Sequence, residues 1–262
     1  MAKVVENARI IANREIAPGI WNMRLDCSDV ATLVLPGQFV HVRVPEYSVQ
    51  TLRMPFCVYD ASADAGWFEI CYQVLGDGTE QLTSLGADDM LSVVGPMGHG
   101  WTMPEDAKHA LLVGGGMGVA PLVMLARELA TRGVVVDMVL AARSSNLIIA
   151  RDRIIPSVKA SGGTISIATD DGSEGRHGFA NQVSDPLVAS GAYDYMCVCG
   201  PAIMEKVTVK AALDAGLRCD VSLERLMACG IGICLSCVVD TTEGRKRCCA
   251  DGPVFDASEV IW

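Results

Sequence analysis

The hydrophobic positions of the first hundred residues fall into short runs that alternate with polar residues. Four of these runs have the two-residue period of β-strands and are separated by turns that contain glycine or proline: residues 8–12, 20–25, 38–44 and 67–74. Several short strands with turns at regular intervals are typical of a small antiparallel barrel. The pattern therefore predicts a β-barrel domain over residues 1–102.

After Pro104 the pattern changes to apolar runs that alternate with longer helical segments. Such alternation indicates parallel strands joined by crossover helices. We expect strands at 110–113, 134–140, 164–168 and 195–198, and helices at 121–131, 146–160 and from 202 to the residue before Gly216. The predicted fold is thus multi-domain α+β, with an α/β parallel-sheet domain over residues 103–218.

The remaining residues, 219–262, are rich in cysteine and are expected to form a small domain of their own. Cys229, Cys234 and Cys237 have C-x4-C-x2-C spacing, and Cys249 follows. This is the plant-type spacing of a 2Fe-2S cluster, in which four thiolates hold the two irons. Two alternatives remain open. Zinc usually takes two C-x2-C pairs, of which the chain has one, and the thiols could also be buried without a metal.

Composition and charge exclude some classes of partner. The chain has 262 residues and a formal net charge of -10, which disfavours binding to nucleic acids or to an anionic membrane surface. The N-terminus has no apolar signal core, and eleven cysteines, an odd number, suit a reducing cytoplasm better than a disulfide scaffold. The uncharged stretch at 110–126 contains several glycines and a proline, so it predicts a strand, a turn and a helix rather than a membrane span.

A glycine-rich turn links the first strand of the α/β domain to its first helix. Its glycines are Gly114, Gly115, Gly116 and Gly118. Glycines let the backbone approach a pyrophosphate, to which the following helix N-terminus presents its amides. The motif is not a strict G-x-G-x-x-G, and such turns also serve strand–helix packing alone.

A second motif follows the strand at 195–198 and contains Cys199, Gly200, Pro201 and Met204. A barrel, a glycine turn and a Cys-Gly-Pro-x-x-Met motif, in this order, resemble the ferredoxin–NADP reductase superfamily. The resemblance implies that the barrel binds FAD and that the α/β domain brings the nicotinamide of NAD to it. It also implies that Cys199 is a catalytic residue that lies against the nicotinamide.

Two segments of the barrel resemble the flavin motifs of that superfamily. The counterpart of the Arg-x-aromatic-Ser/Thr motif consists of Arg53, Met54, Pro55, Phe56 and Cys57. The counterpart of the Gly-Thr motif consists of Gly76, Gly78 and Thr79, and the strand before it would run along the flavin with Cys71, Tyr72 and Gln73. The first segment departs from the pattern, because Met54 stands where the arginine is usual and Cys57 replaces the hydroxyl residue.

The cysteine-rich segment narrows the resemblance to the electron-transfer subunits of B-type, NAD-dependent dihydroorotate dehydrogenases. It opens with Ser-Leu-Glu-Arg-Leu-Met-Ala-Cys and closes with Cys-Ala-Asp-Gly-Pro-Val-Phe. The resemblance implies that Cys249, rather than Cys248, is the fourth cluster ligand. It also implies an FMN-containing catalytic dehydrogenase subunit as partner, a heterotetramer of two subunit types, and a role in pyrimidine biosynthesis.

Three functions stay open at this point. Besides dihydroorotate oxidation, the same reductase module could serve another flavin dehydrogenase or a ferredoxin-linked NADH oxidoreductase, since a fold does not specify a substrate. A zinc-stabilised binding protein without enzymatic activity is the third.

The end of the third predicted strand of the α/β domain bears on the choice of nucleotide. Asp170 and Asp171 stand there, where NADP-selective members of the superfamily tend to carry a Ser-Arg pair. Two carboxylates would repel the 2′-phosphate of NADP and could accept a hydrogen bond from the ribose of NAD. We therefore expect a preference for NADH, although Asp and Gly are also common in solvated turns.

Overall fold

A closed antiparallel barrel forms the N-terminal part of the chain. The structure is a computed structural model that describes residues 4–44 and 52–262. In chain order the barrel strands are β1 (Val4–Ala17), β2 (Ile20–Asp26), β3 (Phe39–Arg43), β4 (Met54–Ser62), β5 (Trp67–Gln73) and β6 (Met90–Met97). Their order around the barrel is β1-β2-β5-β4-β3-β6, and the predicted barrel is confirmed.

Side chains on the barrel strands alternate between two environments, as the two-residue period requires. On β3, Val40 and Val42 belong to the barrel interior, together with Met23 and Phe68. Phe39 on the same strand instead joins the core of the second half of the molecule. Two short helices, α1 (Ser28–Leu33) and α2 (Asp77–Thr83), lie in the connections between strands.

A seven-stranded sheet follows the barrel, with the order β10-β9-β8-β7-β11-β12-β15. Its strands are β7 (His109–Gly115), β8 (Val135–Ala142), β9 (Ile165–Thr169), β10 (Arg176–His177), β11 (Tyr195–Cys199), β12 (Cys219–Ser222) and β15 (Val254–Asp256). The helices that accompany the sheet are α3 (Leu122–Thr131), α4 (Arg151–Ser161), α5 (Asn181–Ala189) and α6 (Ala202–Asp214). All neighbouring strands are parallel except β12 and β15, which are antiparallel, so the predicted parallel-sheet region is confirmed.

The helix predicted at 146–160 begins later than expected. Residues Ser145–Leu147 form a short 3-10 turn, and Ala150 has a left-handed backbone with φ 65°. A residue with a left-handed backbone cannot belong to a right-handed helix, so α4 starts only after Ala150, at Arg151. Helix α5 was not predicted from the pattern, because it follows a glycine-rich segment and contains Pro186.

The C-terminal segment shares its core with the second sheet. Strand β12 pairs with β11, β15 pairs with β12, and a hairpin of β13 (Val238–Thr241) and β14 (Gly244–Arg247) lies between them. Cys237, Cys248 and Cys249 are buried in the same cluster as Val113 and Val198. Strand β12 starts at residue 219, and its pairing with β11 joins the cysteine-rich segment to the second sheet.

Ion pairs join the barrel to the α/β region. Arg153 on α4 lies 3.0 Å from Asp60 and 3.3 Å from Glu69, and Arg127 on α3 lies 2.6 Å from Asp60. Arg24 of β2 holds Glu69 from the barrel side at 2.6 Å. Both carboxylates are almost completely buried, so the network holds the two regions in one relative orientation. None of the helices among the described residues has the length and apolar character needed to cross a membrane.

Candidate functional site

The order of the second sheet reverses between β7 and β11. From β7 the chain adds β8, β9 and β10 on one side, and from β11 it adds β12 on the other. Ligands of open α/β sheets bind at such a switch point, beyond the carboxyl ends of the strands. Gly114 and Gly115 end β7, and Cys199 ends β11 in register with Gly114. The two motifs predicted to bind NAD therefore meet at this point.

The glycine turn packs directly against the Cys-Gly-Pro turn. A methyl group on Gly118 would lie 2.3 Å from the carbonyl oxygen of Cys199, and one on Gly115 would lie 2.4 Å from Sδ of Met204 and 3.1 Å from Cδ of Pro201. A side chain at Gly118 would clash with backbone, which explains the need for glycine there, whereas a side chain at Gly115 would require Met204 to move. Gly116 has nothing within 4 Å of its missing side chain, so the turn borders open space there.

Cys199 lies where the α/β region meets the barrel. The residue as a whole is half-buried, and burial of its thiol raises the pKa far above the usual range, with smaller contributions from Glu205 and from Cys57 of β4. Glu205 is itself 3% exposed and accepts a hydrogen bond of 3.0 Å from the backbone N–H of Gly200. Burial raises the pKa of Glu205 to about 7. The Cys199 thiol is therefore protonated at neutral pH and lies near one other thiol, Cys57, and the buried carboxyl group of Glu205.

Strand β4 carries the first flavin motif along the edge of this junction. Pro55, Phe56 and Cys57 pair with His41, Val40 and Phe39 of β3. The rings of Phe56 and Tyr72 are tilted and 5.8 Å apart. Burial raises the pKa of Cys57 and of Cys71 to about 12, so both thiols are protonated at neutral pH.

Arg53 immediately precedes β4, and its side chain contacts β6, which is two strands away in the barrel. Its guanidinium donates to the carbonyl oxygen and to Oγ of Ser92 in β6, each at 2.9 Å. Met54, at the position of the usual arginine, is half-buried and packs against the barrel core. Arg53 is thus engaged within the barrel.

The second flavin motif forms the start of α2. Thr79 Oγ1 accepts hydrogen bonds from the N–H groups of Leu75 and Gly76 and donates to the carbonyl of Gly76. Gly76 has nothing within 4 Å of its missing side chain, and Gly78 is buried. Gln73 ends β5 immediately before this turn. The turn is ordered by Thr79 and leaves the backbone of Gly76 accessible.

Asp170 and Asp171 follow β9 at the same edge of the sheet, and both are exposed. Asp171 accepts hydrogen bonds from the N–H and hydroxyl of Ser173, which lower its pKa below the usual value. The N–H groups of the two aspartates donate to Ala142 and Arg143 at the end of β8. The carboxylates therefore stand on a fixed turn beside the next strand end.

The four cysteines predicted as cluster ligands lie in two loops of the C-terminal segment. The N–H of Cys234 donates to Sγ of Cys229 at 3.5 Å, and the N–H of Cys249 donates to Sγ of Cys237 at 3.4 Å. The N–H of Cys234, followed by other loop amides, lowers the pKa of Cys229 to about 6. Backbone amides that point at sulfur stabilise a thiolate. The loop therefore fits a group that binds thiolates.

Within residues 4–44 and 52–262, no group of three or more His, Cys, Asp or Glu side chains is gathered so as to hold a metal ion. In a 2Fe-2S cluster the four thiolates are shared between two irons. Cys248 turns away from the loop: it is fully buried, and its thiol donates to the carbonyl of Leu223 at 3.1 Å.

His41 is a neighbour of this loop that the sequence pattern did not single out. It stands in the run Phe-Val-His-Val-Arg of β3, and its ring packs against Gly230. Burial, assisted by Arg53, lowers the pKa of His41 to about 4. A histidine in an otherwise apolar run was the available signal.

Comparison with known proteins identifies the family of the chain. The model of the family "Iron-sulfur cluster binding domain of dihydroorotate dehydrogenase B" matches residues 224–261. The dihydroorotate dehydrogenase B (NAD(+)) electron transfer subunit of Desulforamulus reducens is 36% identical over 266 residues and 100% of both chains. That of Geobacillus thermodenitrificans is 38% identical over 267 residues and 98% of both. The chain belongs to the family of these electron transfer subunits. The match of the iron–sulfur domain favours a cluster over the zinc alternative.

Solved structures agree with this family on the fold. An NADH-dependent reduced ferredoxin–NADP oxidoreductase, studied for flavin-based electron bifurcation, is similar with a TM-score of 0.88 and 30% identity over 98% of this chain and 90% of that one. The ferredoxin reductase of carbazole 1,9a-dioxygenase is similar in fold, with a TM-score of 0.68 and 22% identity over 83% of this chain and 67% of that one.

Proposed function

We propose that the chain is the electron-transfer subunit of a cytoplasmic NAD-dependent dihydroorotate dehydrogenase of pyrimidine biosynthesis. In this function it passes electrons between NAD(H) and an FMN-containing catalytic subunit, through FAD and one 2Fe-2S cluster, within a heterotetramer. The observation that carries the proposal is that the nicotinamide, flavin and cluster motifs converge on one junction. When bound, FAD exchanges a hydride with nicotinamide and single electrons with the cluster.

The NAD site comprises the two turns at the sheet switch point. Gly114, Gly115, Gly116 and Gly118 bring the backbone close to the pyrophosphate, and Gly200, Pro201 and Met204 fill the opposite side. The contact between Gly118 and Cys199 supports this assignment, because it holds Cys199 beside the open space at Gly116. Asp170 and Asp171 would face the adenosine ribose and disfavour a 2′-phosphate.

The FAD site lies along β4 and β5, over the domain of residues 1–102. Its residues are those of the two flavin motifs, together with Cys71, Tyr72 and Gln73 of β5. Cys57 would face the flavin from the barrel and Cys199 from the domain of residues 103–218, which is supported by their proximity across the junction. Arg53 is bound to Ser92, so its guanidinium would have to leave that contact to hold the pyrophosphate.

The cluster ligands are Cys229, Cys234, Cys237 and Cys249, in the domain of residues 219–262. Replacing any one of them by Ser should remove about two iron and two sulfide per chain. Cys248→Ser is the matched control, since its thiol contacts Leu223 instead, and it should keep both. A protein that contains zinc and no iron after anaerobic purification would contradict the assignment.

An exposed apolar surface surrounds the cluster loop and is proposed to contact the catalytic subunit. Leu226, Ile231, Ile233 and Leu235 are exposed by 89%, 45%, 75% and 59%. Isolated exposed apolar residues are common, but a group of them beside a redox centre suits a dry interface.

The interface is tested by co-expression with the catalytic subunit. Ile233→Glu should retain iron, while the complex dissociates and NADH no longer exchanges electrons with the partner's flavin. Phe179→Glu is the control, because Phe179 is 63% exposed but lies between β10 and α5, at the opposite end of the sheet from β15. An intact complex with Ile233→Glu would show that the partner binds elsewhere.

The structural similarity to the ferredoxin–NADP oxidoreductase favours a second candidate, a ferredoxin-linked NADH oxidoreductase. The two functions differ in the electron donor. Dihydroorotate should reduce the flavin of this chain only in the presence of the catalytic subunit. A ferredoxin-linked enzyme would instead be reduced by ferredoxin and would not respond to dihydroorotate.

A further inference from the structure

His41 is buried in an unusual way. Its side chain is 1% exposed, and its Nε2 atom has no hydrogen-bond partner among the described residues. Nearly all buried polar groups in proteins have a hydrogen-bond partner, because a buried polar atom without one destabilises the folded state. The unpaired nitrogen therefore requires an explanation.

The ring of His41 lies against the cluster loop. A methyl group on Gly230 would lie 2.4 Å from Cε1 of His41 and 2.7 Å from each ring nitrogen. Gly230 also has a positive φ of 66°, which glycine adopts without strain. It follows Cys229 directly in the sequence. The absence of a side chain at Gly230 thus lets the loop close onto the imidazole.

The direction of His41 follows from its strand. Successive side chains of a strand point to opposite faces, and Val40 and Val42 point into the barrel. His41 and Phe39 point outward, with ring centroids 5.7 Å apart, and Phe39 packs in the core that also holds Cys237 and Cys249. His41 also pairs with Pro55 of the first flavin motif, so it lies between the proposed FAD and cluster sites.

We propose that His41 is a positioning residue of the cluster, and that its Nε2–H donates a hydrogen bond to the sulfur atoms around the irons. This inference rests on the proposed cluster site. A neutral imidazole carries one N–H, and the tautomer with hydrogen on Nε2 supplies the donor. Hydrogen bonds to the sulfurs of an iron–sulfur cluster stabilise its reduced, more negative form and raise its reduction potential.

The first test uses the wild-type holoprotein, which contains only four histidines. The protein is labelled with 15N-histidine, and the reduced cluster is examined by pulsed EPR. We expect one imidazole nitrogen to couple to the cluster spin. The coupling should persist in His99→Gln, the matched control on the loop after β6, and disappear in His41→Gln. A cluster without nitrogen coupling, or with coupling lost only in His99→Gln, would overturn the inference.

The second test measures the midpoint potential of the cluster. His41→Phe keeps an aromatic ring and removes the donor. The equilibrium constant for reduction of the cluster should therefore fall about tenfold, which lowers the midpoint potential by about 59 mV for one electron. His41→Gln retains an N–H donor and should recover part of the loss, whereas Val42→Ala should leave the potential unchanged. An unchanged potential in His41→Phe with full iron content would refute the hydrogen bond. Absence of iron in the wild-type protein would instead refute the proposed cluster.

Discussion

Gly118→Ala tests the contact between the two turns of the proposed NAD site. The new methyl group would lie 2.3–2.5 Å from three backbone atoms, the carbonyl oxygen and carbon of Cys199 and the nitrogen of Gly200. Non-bonded carbon atoms prefer separations of about 3.5–4.0 Å, so the turns must separate by about 1 Å. Because both sides are backbone, no rotamer change relieves the clash, and overpacking of this kind costs about 1–3 kcal/mol.

The separation moves Cys199 and the nicotinamide away from the flavin. A misplacement of about 1 Å can lower a rate about 100-fold, which corresponds to about 2.7 kcal/mol in the activation barrier. The assay is anaerobic stopped-flow reduction of the bound flavin by NADH. Iron and flavin content should remain at the wild-type level, because neither proposed site contains Gly118.

Gly86→Ala is the matched control for this prediction. Gly86 has nothing within 4 Å of its missing side chain and no positive φ, so the methyl group should change the rate less than twofold, a free-energy difference of about 0.4 kcal/mol. Reduction of Gly118→Ala by NADH at the wild-type rate would refute the reasoning, since it would mean that hydride transfer does not depend on the contact.

Three further changes test other parts of the account. Asp171→Arg should narrow the ratio of NADH to NADPH reduction rates, and equal rates in the wild type would remove the charge argument. Arg153→Ala leaves two buried carboxylates each short of one partner and should lower the free energy of unfolding by about 2 kcal/mol, measured by thermal unfolding. The exposed ion pair between Arg132 and Glu128 should contribute below about 0.5 kcal/mol. Glu205 has a folded pKa raised to about 7, so the folded state binds more protons than the unfolded state. Stability should therefore fall as pH rises from about 4.5 to 7, by at most about 1.4 kcal/mol per unit, and Glu205→Gln should flatten this slope.

Much of the fold follows from the sequence because local periodicity and burial agree. The barrel strands alternate, and the strands of the second sheet read as apolar runs bounded by glycine. Gly115 and Gly118 were predicted from their motif, and their packing against the Cys-Gly-Pro turn gives a physical reason for glycine at these two positions. The spacing of the cluster cysteines predicted a cluster domain, which the matching family model supports.

The remaining features depend on contacts between distant segments. The addition of β12 and β15 to the second sheet is set by pairing across more than thirty residues, which no local pattern encodes. The late start of α4 depends on the backbone of Ala150. The role of His41 depends on its contact with Gly230, nearly two hundred residues away. The hydrogen bonds from Arg53 to Ser92 likewise could not be predicted from a comparison of motifs.

The proposed function is electron transfer between NAD(H) and a dihydroorotate-oxidising partner. The most direct measurement follows absorbance at 340 nm after dihydroorotate and NAD+ are mixed anaerobically with the co-expressed complex. NADH should form in proportion to orotate, and its formation should stop when Cys249 is replaced by Ser but continue with Cys248→Ser. Orotate formation without NADH in the intact complex, or NADH formation that persists in Cys249→Ser, would contradict the proposed function.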